Sequence, residues 1–203
     1  EVAVTAARSG LSQEDAYRIV SIVPDMTYFD TYYYQITDTI SSGSTFDASS
    51  AKVYYVPSGS DMYTVETASA TGAGGTQLTS GFTVSSTGTG FTVTFNDLSA
   101  TTNVPALGGG YIVVEYTATL NSSAVVGNPG NPSEVYLTYS NNPNNADGTG
   151  TGVTPKDEVV VYTFTLPMNK VNNDTTPLAL TGATFAIFTS QTDATTAAAD
   201  PLT

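Results

Sequence analysis

An all-β sandwich is the fold class this sequence predicts, on three observations. Charged residues make up only 11% of the chain while Thr, Ser, Val and Tyr crowd it, and β-branched and aromatic side chains suit a pleated, half-buried surface better than a helix. Apolar and polar residues alternate in short runs of strand length. Gly, Pro, Asn and Ser punctuate those runs as turns between strands do.

In chain order, residues 17–23 alternate and stop at Pro24-Asp25, and residues 32–40 alternate again and end at Ser41-Ser42-Gly43. Further strands are predicted at 51–56, 62–67, 81–85, 90–95, 110–120, 134–139 and 159–166. Residues 11–16 read as a short helical turn, with Ser12 and Asp15 spaced as in a loose capping box. The breaker-rich stretches 69–75 and 141–155 read as loops, and neither places a phosphate-binding glycine pattern before a helix.

Composition then narrows the function. Five basic residues against eighteen acidic ones give a net charge of −13, which keeps the protein soluble and repels nucleic acid. The chain has no His, Cys or Trp, which removes disulfides, thiol and imidazole catalysis and the usual zinc ligands. Asp25, Asp30 and Asp38 lie near one another but lack the ligand spacing of a calcium loop, and no paired-carboxylate glycosidase site stands out. The expectation is no metal, no cofactor and no enzymatic activity. The longest apolar stretches, Tyr111-Ile112-Val113-Val114 and Val159-Val160-Val161-Tyr162, are too short to span a bilayer, so no membrane insertion is expected, and the chain reads as an interior fragment of a longer protein.

The stretch Gly127-Asn128-Pro129-Gly130-Asn131-Pro132-Ser133-Glu134-Val135-Tyr136-Leu137-Thr138-Tyr139-Ser140-Asn141-Asn142-Pro143 follows Val114-Glu115-Tyr116-Thr117-Ala118-Thr119-Leu120-Asn121. Together they resemble the signature of the shaft domains of sortase-assembled pilins from Gram-positive bacteria, whose core has the form GNPNEVYLEYSNNP. The resemblance is strongest over residues 110–166 and 32–45; residues 62–90 carry no motif of the family. Beyond Pro167, Lys170-Val171-Asn172, a polar turn and Leu178-Ala179-Leu180-Thr181-Gly182-Ala183-Thr184-Phe185-Ala186-Ile187-Phe188 resemble the opening of a Cna B-type domain.

The resemblance implies an Ig-like (Cna-type) β-sandwich shaft domain over residues 1–166. Residues 167–203 then form the N-terminal part of a second β-sandwich, incomplete here because so few residues cannot bury a core of their own. It also implies a structural subunit of a cell-wall-attached surface pilus, joined to neighbouring pilin subunits by sortase and supporting adhesion. The alternative is a single-chain cell-wall adhesin that uses the same modules to bind a host extracellular-matrix or glycan ligand. A secreted hydrolase with ancillary sandwich modules is a third reading, which needs a catalytic domain outside this sequence.

Domains of this family can carry a bond between a Lys of the first strand and an Asn of a late strand, assisted by a buried acid. The amine has to be neutral to attack, and the acid has to be protonated to donate to the amide oxygen; desolvation favours both. Ile36-Thr37-Asp38-Thr39 matches the family's strand and makes Asp38 the counterpart of the assisting acid. The Lys position falls at Ala3 and the Asn position at Ser133, so the first domain is expected to have lost its cross-link. Asn131 lies two residues earlier, on the same face of a strand, and would substitute only with a shift of register. The competing reading of Asp38 is an exposed carboxylate near a strand end.

Lys170 matches the Lys that opens Cna B-type domains, with its Asn or Asp partner expected outside this fragment. Lys52 reads as a strand-surface charge that discourages edge pairing. Lys156, in Val153-Thr154-Pro155-Lys156-Asp157, is only faintly like the YPK motif that sortase uses and reads as a solvated linker charge. The terminal Asp200-Pro201-Leu202-Thr203 is not an LPxTG sorting signal. Tyr28, Tyr32, Tyr33, Tyr34, Tyr54, Tyr55 and Tyr63 form either an aromatic ligand surface or, as is commoner on strands, core and cross-strand pairs.

Overall fold

Tyr17, Ile19 and Ser21 project to one side of a strand and Val20 to the other, and all four are buried. A strand buried on both faces needs a packing layer on each. The computed structural model describes residues 2–6, 14–144, 150–165, 170–176, 178–179, 191–192 and 195, with the backbone alone for 2–6 and 14. The chain divides into two compact units, residues 1–164 and 165–203.

The strands of the first unit, in order, are β1 (Val2–Ala6), β2 (Glu14–Ile22), β3 (Tyr34–Ile40), β4 (Ser44–Phe46) and β5 (Lys52–Val56). After the helix α1 (Met62–Thr67) come β6 (Thr76–Leu78), β7 (Thr83–Ser86), β8 (Gly90–Phe95), β9 (Tyr111–Leu120), β10 (Asn131–Ser140), β11 (Thr151–Val153) and β12 (Asp157–Val161). They build two antiparallel sheets. The first has the order β1-β2-β9-β5-β6 with β4 also on β9; the second has the order β11-β10-β3-β8-β7 with β12 also on β10. This is the predicted all-β, Ig-like sandwich.

Between the sheets lies a core that includes Ile19, Tyr34, Ile36, Phe91, Phe95 and Ile112, all fully buried. A smaller core lies on the outer side of the first sheet, where Val20, Tyr54, Val56 and Val113 pack with Val65 of α1 and with Ala70 and Ala73 beyond it. The two layers explain why Val53-Tyr54-Tyr55-Val56 and Ile112-Val113-Val114 are continuously apolar: alternate residues serve alternate cores. Arg18 ties this outer layer down. Its guanidinium binds the Glu115 carboxylate at 2.8 Å and the Glu66 carbonyl at 3.0 Å, while the same carboxylate accepts from the Ala70 N–H.

Several local expectations are corrected. Residues 62–67, predicted as a strand, form α1, because Asp61 caps the helix by accepting from the Thr64 N–H at 2.9 Å and because Met62 and Val65, three residues apart, both face the sheet. Glu14, Asp15 and Ala16 belong to β2 and not to a helical turn: their pairing with β9 outweighs a loose cap. The predicted loop 141–155 contains β11, which pairs with Thr138, Tyr139 and Ser140. Lys52 is exposed but does not guard an edge, since β5 lies between β9 and β6. Lys156 lies within the first unit, between β11 and β12, and pairs with Glu134 at 2.5 Å.

In the second unit, Val171 and Ala179 form an antiparallel bridge closed by Asn172 N–H to Leu178 carbonyl at 3.0 Å. The Asn172 side-chain oxygen accepts from the Leu178 N–H at 2.7 Å, which accounts for the polar turn between them. Residues 180–190 of the Cna B-like motif, and Asp200-Pro201-Leu202-Thr203, lie outside the described residues. No helix among the described residues is long and apolar enough to cross a membrane.

Tyr63 and Val65 would share a face on a strand but not on a helix. Val65 is fully buried and Tyr63 is 74% exposed, so Val65→Ala is expected to cost about 2 kcal/mol and Tyr63→Ala less than about 0.5 kcal/mol in chemical denaturation.

Candidate functional site

Alternation along β3 sends Tyr34, Ile36, Asp38 and Ile40 inward, so the strand delivers one carboxylate into the core, where Asp38 is 1% exposed. A buried carboxylate has to be met by donors. Both its oxygens are met. The Tyr116 hydroxyl of β9 donates to Asp38 Oδ2 at 2.5 Å, and the Ser133 hydroxyl of β10 donates to Asp38 Oδ1 at 2.8 Å. One side chain thereby joins strands of both sheets.

Aromatic rings wall this polar group. Phe91 stands opposite Asp38 on β8, stacks on Phe46 at 4.3 Å and meets Tyr116 edge-on at 4.8 Å. Tyr17 stacks on Tyr116 with 4.9 Å between ring centroids. Gly90 lets β8 lie this close: a Cβ there would fall 2.0 Å from the Asp38 carbonyl oxygen, at a φ of +152°. Desolvation pushes the Asp38 carboxyl up to about 6, with the Tyr116 and Ser133 hydrogen bonds opposing the rise. Burial likewise pushes the Tyr17 phenol up to about 12, helped by the nearby Asp15, and holds Tyr116 well above its ordinary value.

Asp15 is a second inward-facing carboxylate, fully buried two residues before Tyr17. Neither of its oxygens has a hydrogen-bond partner among the described residues, and burial raises its pKa. Sequence reasoning assigned no site role to Asp15, Tyr17 or Tyr116. Parity along β2 puts Asp15 on the face of Tyr17 and Ile19, a signal present in the sequence; the meeting of Tyr116 with Asp38 depends on how the two sheets stack.

The other predicted site residues are dispersed. Ala3 is in register with Val20, which packs in the outer layer; the positions opposite the inward-facing Ile19 and Tyr17 are Val4 and Ala6. Asn131 is buried but committed elsewhere, accepting from the Val125 N–H and donating to the carbonyls of Val125 and Val161. Lys170 is exposed, in the second unit. Tyr32, Tyr34, Tyr54 and Tyr55 are buried and Tyr33 partly so, leaving only Tyr28 and Tyr63 of that set as exposed aromatics. Among the described residues no three acidic side chains gather as a metal site. What the cluster offers chemically is a carboxyl kept largely protonated at mildly acidic pH, held in place by two hydroxyls.

The same architecture recurs in solved bacterial surface proteins. The major pilin BcpA of Bacillus cereus superposes with a TM-score of 0.54 at 13% identity, over 80% of this chain and 40% of that one. The group B streptococcus pilus 2b backbone protein gives 0.53 at 21% identity, over 78% and 56%. This chain shares its β-sandwich fold with parts of these two pilins. The full-length major pilin SpaD of Corynebacterium diphtheriae gives 0.53 at 18% identity, over 80% of this chain and 35% of that one. In sequence, the trypsin-resistant surface T6 protein of Streptococcus pyogenes serotype M6 is 37% identical over 86 residues, which cover 37% of this chain and 16% of that protein. The chain thus spans about half or less of the length of these relatives. No protein-family model matches it.

Asp38 takes up its proton more readily folded than unfolded. Its contribution to stability is complete below its ordinary value of 3.8 and is lost as pH rises through about 6. Asp38→Asn removes this dependence, so the stability of the variant relative to the parent is expected to rise by about 2 kcal/mol between pH 4 and pH 7 in denaturant titrations. A constant difference across that range contradicts the assignment.

Proposed function

We propose that the chain is part of the shaft of a Gram-positive cell-surface pilus, residues 1–166 forming one sandwich module and residues 167–203 opening a Cna B-type module. Its work is mechanical, and its partners are neighbouring pilin subunits joined by sortase on a cell-wall-attached fibre. The observation that carries this reading is the 37% identity to the streptococcal surface T6 protein, on a chain whose fold is shared with backbone pilins.

Within that reading Asp38 is the counterpart of the acid that assists bond formation, in a module that has lost its bond. Two features support this: the late strand presents the Ser133 hydroxyl to Asp38 where a carboxamide is needed, and the β1 positions in register with the inward-facing Ile19 and Tyr17 are Val4 and Ala6, neither of which carries an amine. Lys170 is the amine proposed to react in the second module, with a partner on later strands.

Wall digests of the parent organism, probed with an antibody to this module, are expected to show a ladder of covalent polymers that collapses when sortase is deleted. A single band at one mass supports the single-chain adhesin and sinks the pilus reading. Intact mass of the denatured first module is expected to equal its sequence mass; a value lower by one ammonia overturns the missing bond.

A further inference from the structure

The direction of the strands fixes how the first unit meets a pulling force. One end of the sandwich is closed by Val23 N–H to Gly110 carbonyl, Leu98 N–H to Tyr32 carbonyl and the Tyr34 hydroxyl on Ser21. The opposite end is closed by Ile40 N–H to Thr89 carbonyl, Ser41 N–H to Pro132 carbonyl and Asn121 N–H to Gly43 carbonyl. β1 begins opposite Ser21, at the first end, and runs toward the second. β12 ends opposite Asn131, at the second end, having run the same way. The chain therefore enters at one end and leaves at the other, and its first and last strands are parallel.

Each of these strands is held by five consecutive register pairs: Val2 to Ala6 against β2, and Asp157 to Val161 against β10. They also lie alongside one another, β1 running beside β12 and β10 where the two sheets meet. Tension applied at the two ends draws β1 back out of its starting end and β12 onward out of its finishing end. Ladder hydrogen bonds lie across the strands, so this pull slides each strand against its partner and loads all the bonds of a ladder together. A pull that parts the two strands at one end would load them one at a time.

We propose that β1 and β12 form a shear clamp, a pair of parallel terminal strands whose ladders resist axial tension without a covalent staple. The proposal stands on strand polarity and holds whether or not the protein is a pilus subunit. Rupture under force is set by the unfolding barrier and not by equilibrium stability, so direction of pulling is the variable to test.

The chain has no Cys, so one introduced thiol defines a unique attachment point. In single-molecule force spectroscopy of the full chain, a handle at the N-terminus is combined with Phe164→Cys for axial loading or with Tyr28→Cys for loading at the first end alone; both side chains are exposed, at 77% and 82%. The second geometry parts β1 from β2 at their Val2 and Ser21 ends. The clamp predicts a rupture force several-fold higher in the axial geometry, at matched loading rate, with the whole first unit extending in one event. Equal forces in the two geometries overturn it, as does early low-force release of β1 under axial load. Equal equilibrium stability of the two variants in denaturant establishes that the contrast is one of direction.

Discussion

A carboxylate withdrawn from water has to be answered by hydrogen-bond donors, and in this sandwich the answer comes from both sheets. Asp38 on β3 is bound by Ser133 of the neighbouring strand and by Tyr116 of the facing sheet. That arrangement sets the register of β3 against β10 and the distance between the sheets, because neither hydroxyl reaches if a strand slips by one residue. The aromatic wall of Phe46, Phe91, Tyr17 and Tyr116 then excludes water from the group it surrounds. The same exclusion that makes the carboxyl costly when charged makes it comfortable when protonated.

The acidic balance of the chain and the pair of buried acids point the same way. With eighteen acidic residues against five basic, few cations are at hand for core carboxylates. Of the five, Arg18 is engaged with Glu115 and Lys156 with Glu134. Asp38 therefore relies on neutral hydroxyls, while burial raises the pKa of Asp15. A core built this way tolerates acid better than one that depends on salt bridges, since protonation removes a penalty and breaks no ion pair.

Mechanical resistance and chemical stability draw on different interactions. The core draws on β2, β3, β5, β8, β9 and β10, with Val161 of β12 joining it, whereas the load path enters through β1 and leaves through β12. Hydrophobic burial has no direction, but a ladder of hydrogen bonds does. A sandwich can thus be ordinary in denaturant and strong along one axis.

The sequence alone determined the class of the fold and most of its strands, because period-two alternation and turn residues act locally and are written in neighbouring positions. Asp38 was legible as a candidate through its strand motif, and Ser133 through its place before Val135 and Tyr136. Met62 to Thr67 was misread because its residue types favour strands, and only the Asp61 cap and the apolar face of the first sheet turn it into a helix. The tertiary structure alone decided that Tyr116 meets Asp38, that Asp15 meets no hydrogen-bond donor among the described residues, that Ala3 lies in register with Val20, and that the terminal strands are parallel. Each of those depends on which strands pair and which faces stack, contacts between residues 17 to more than 90 positions apart, and no local pattern encodes them.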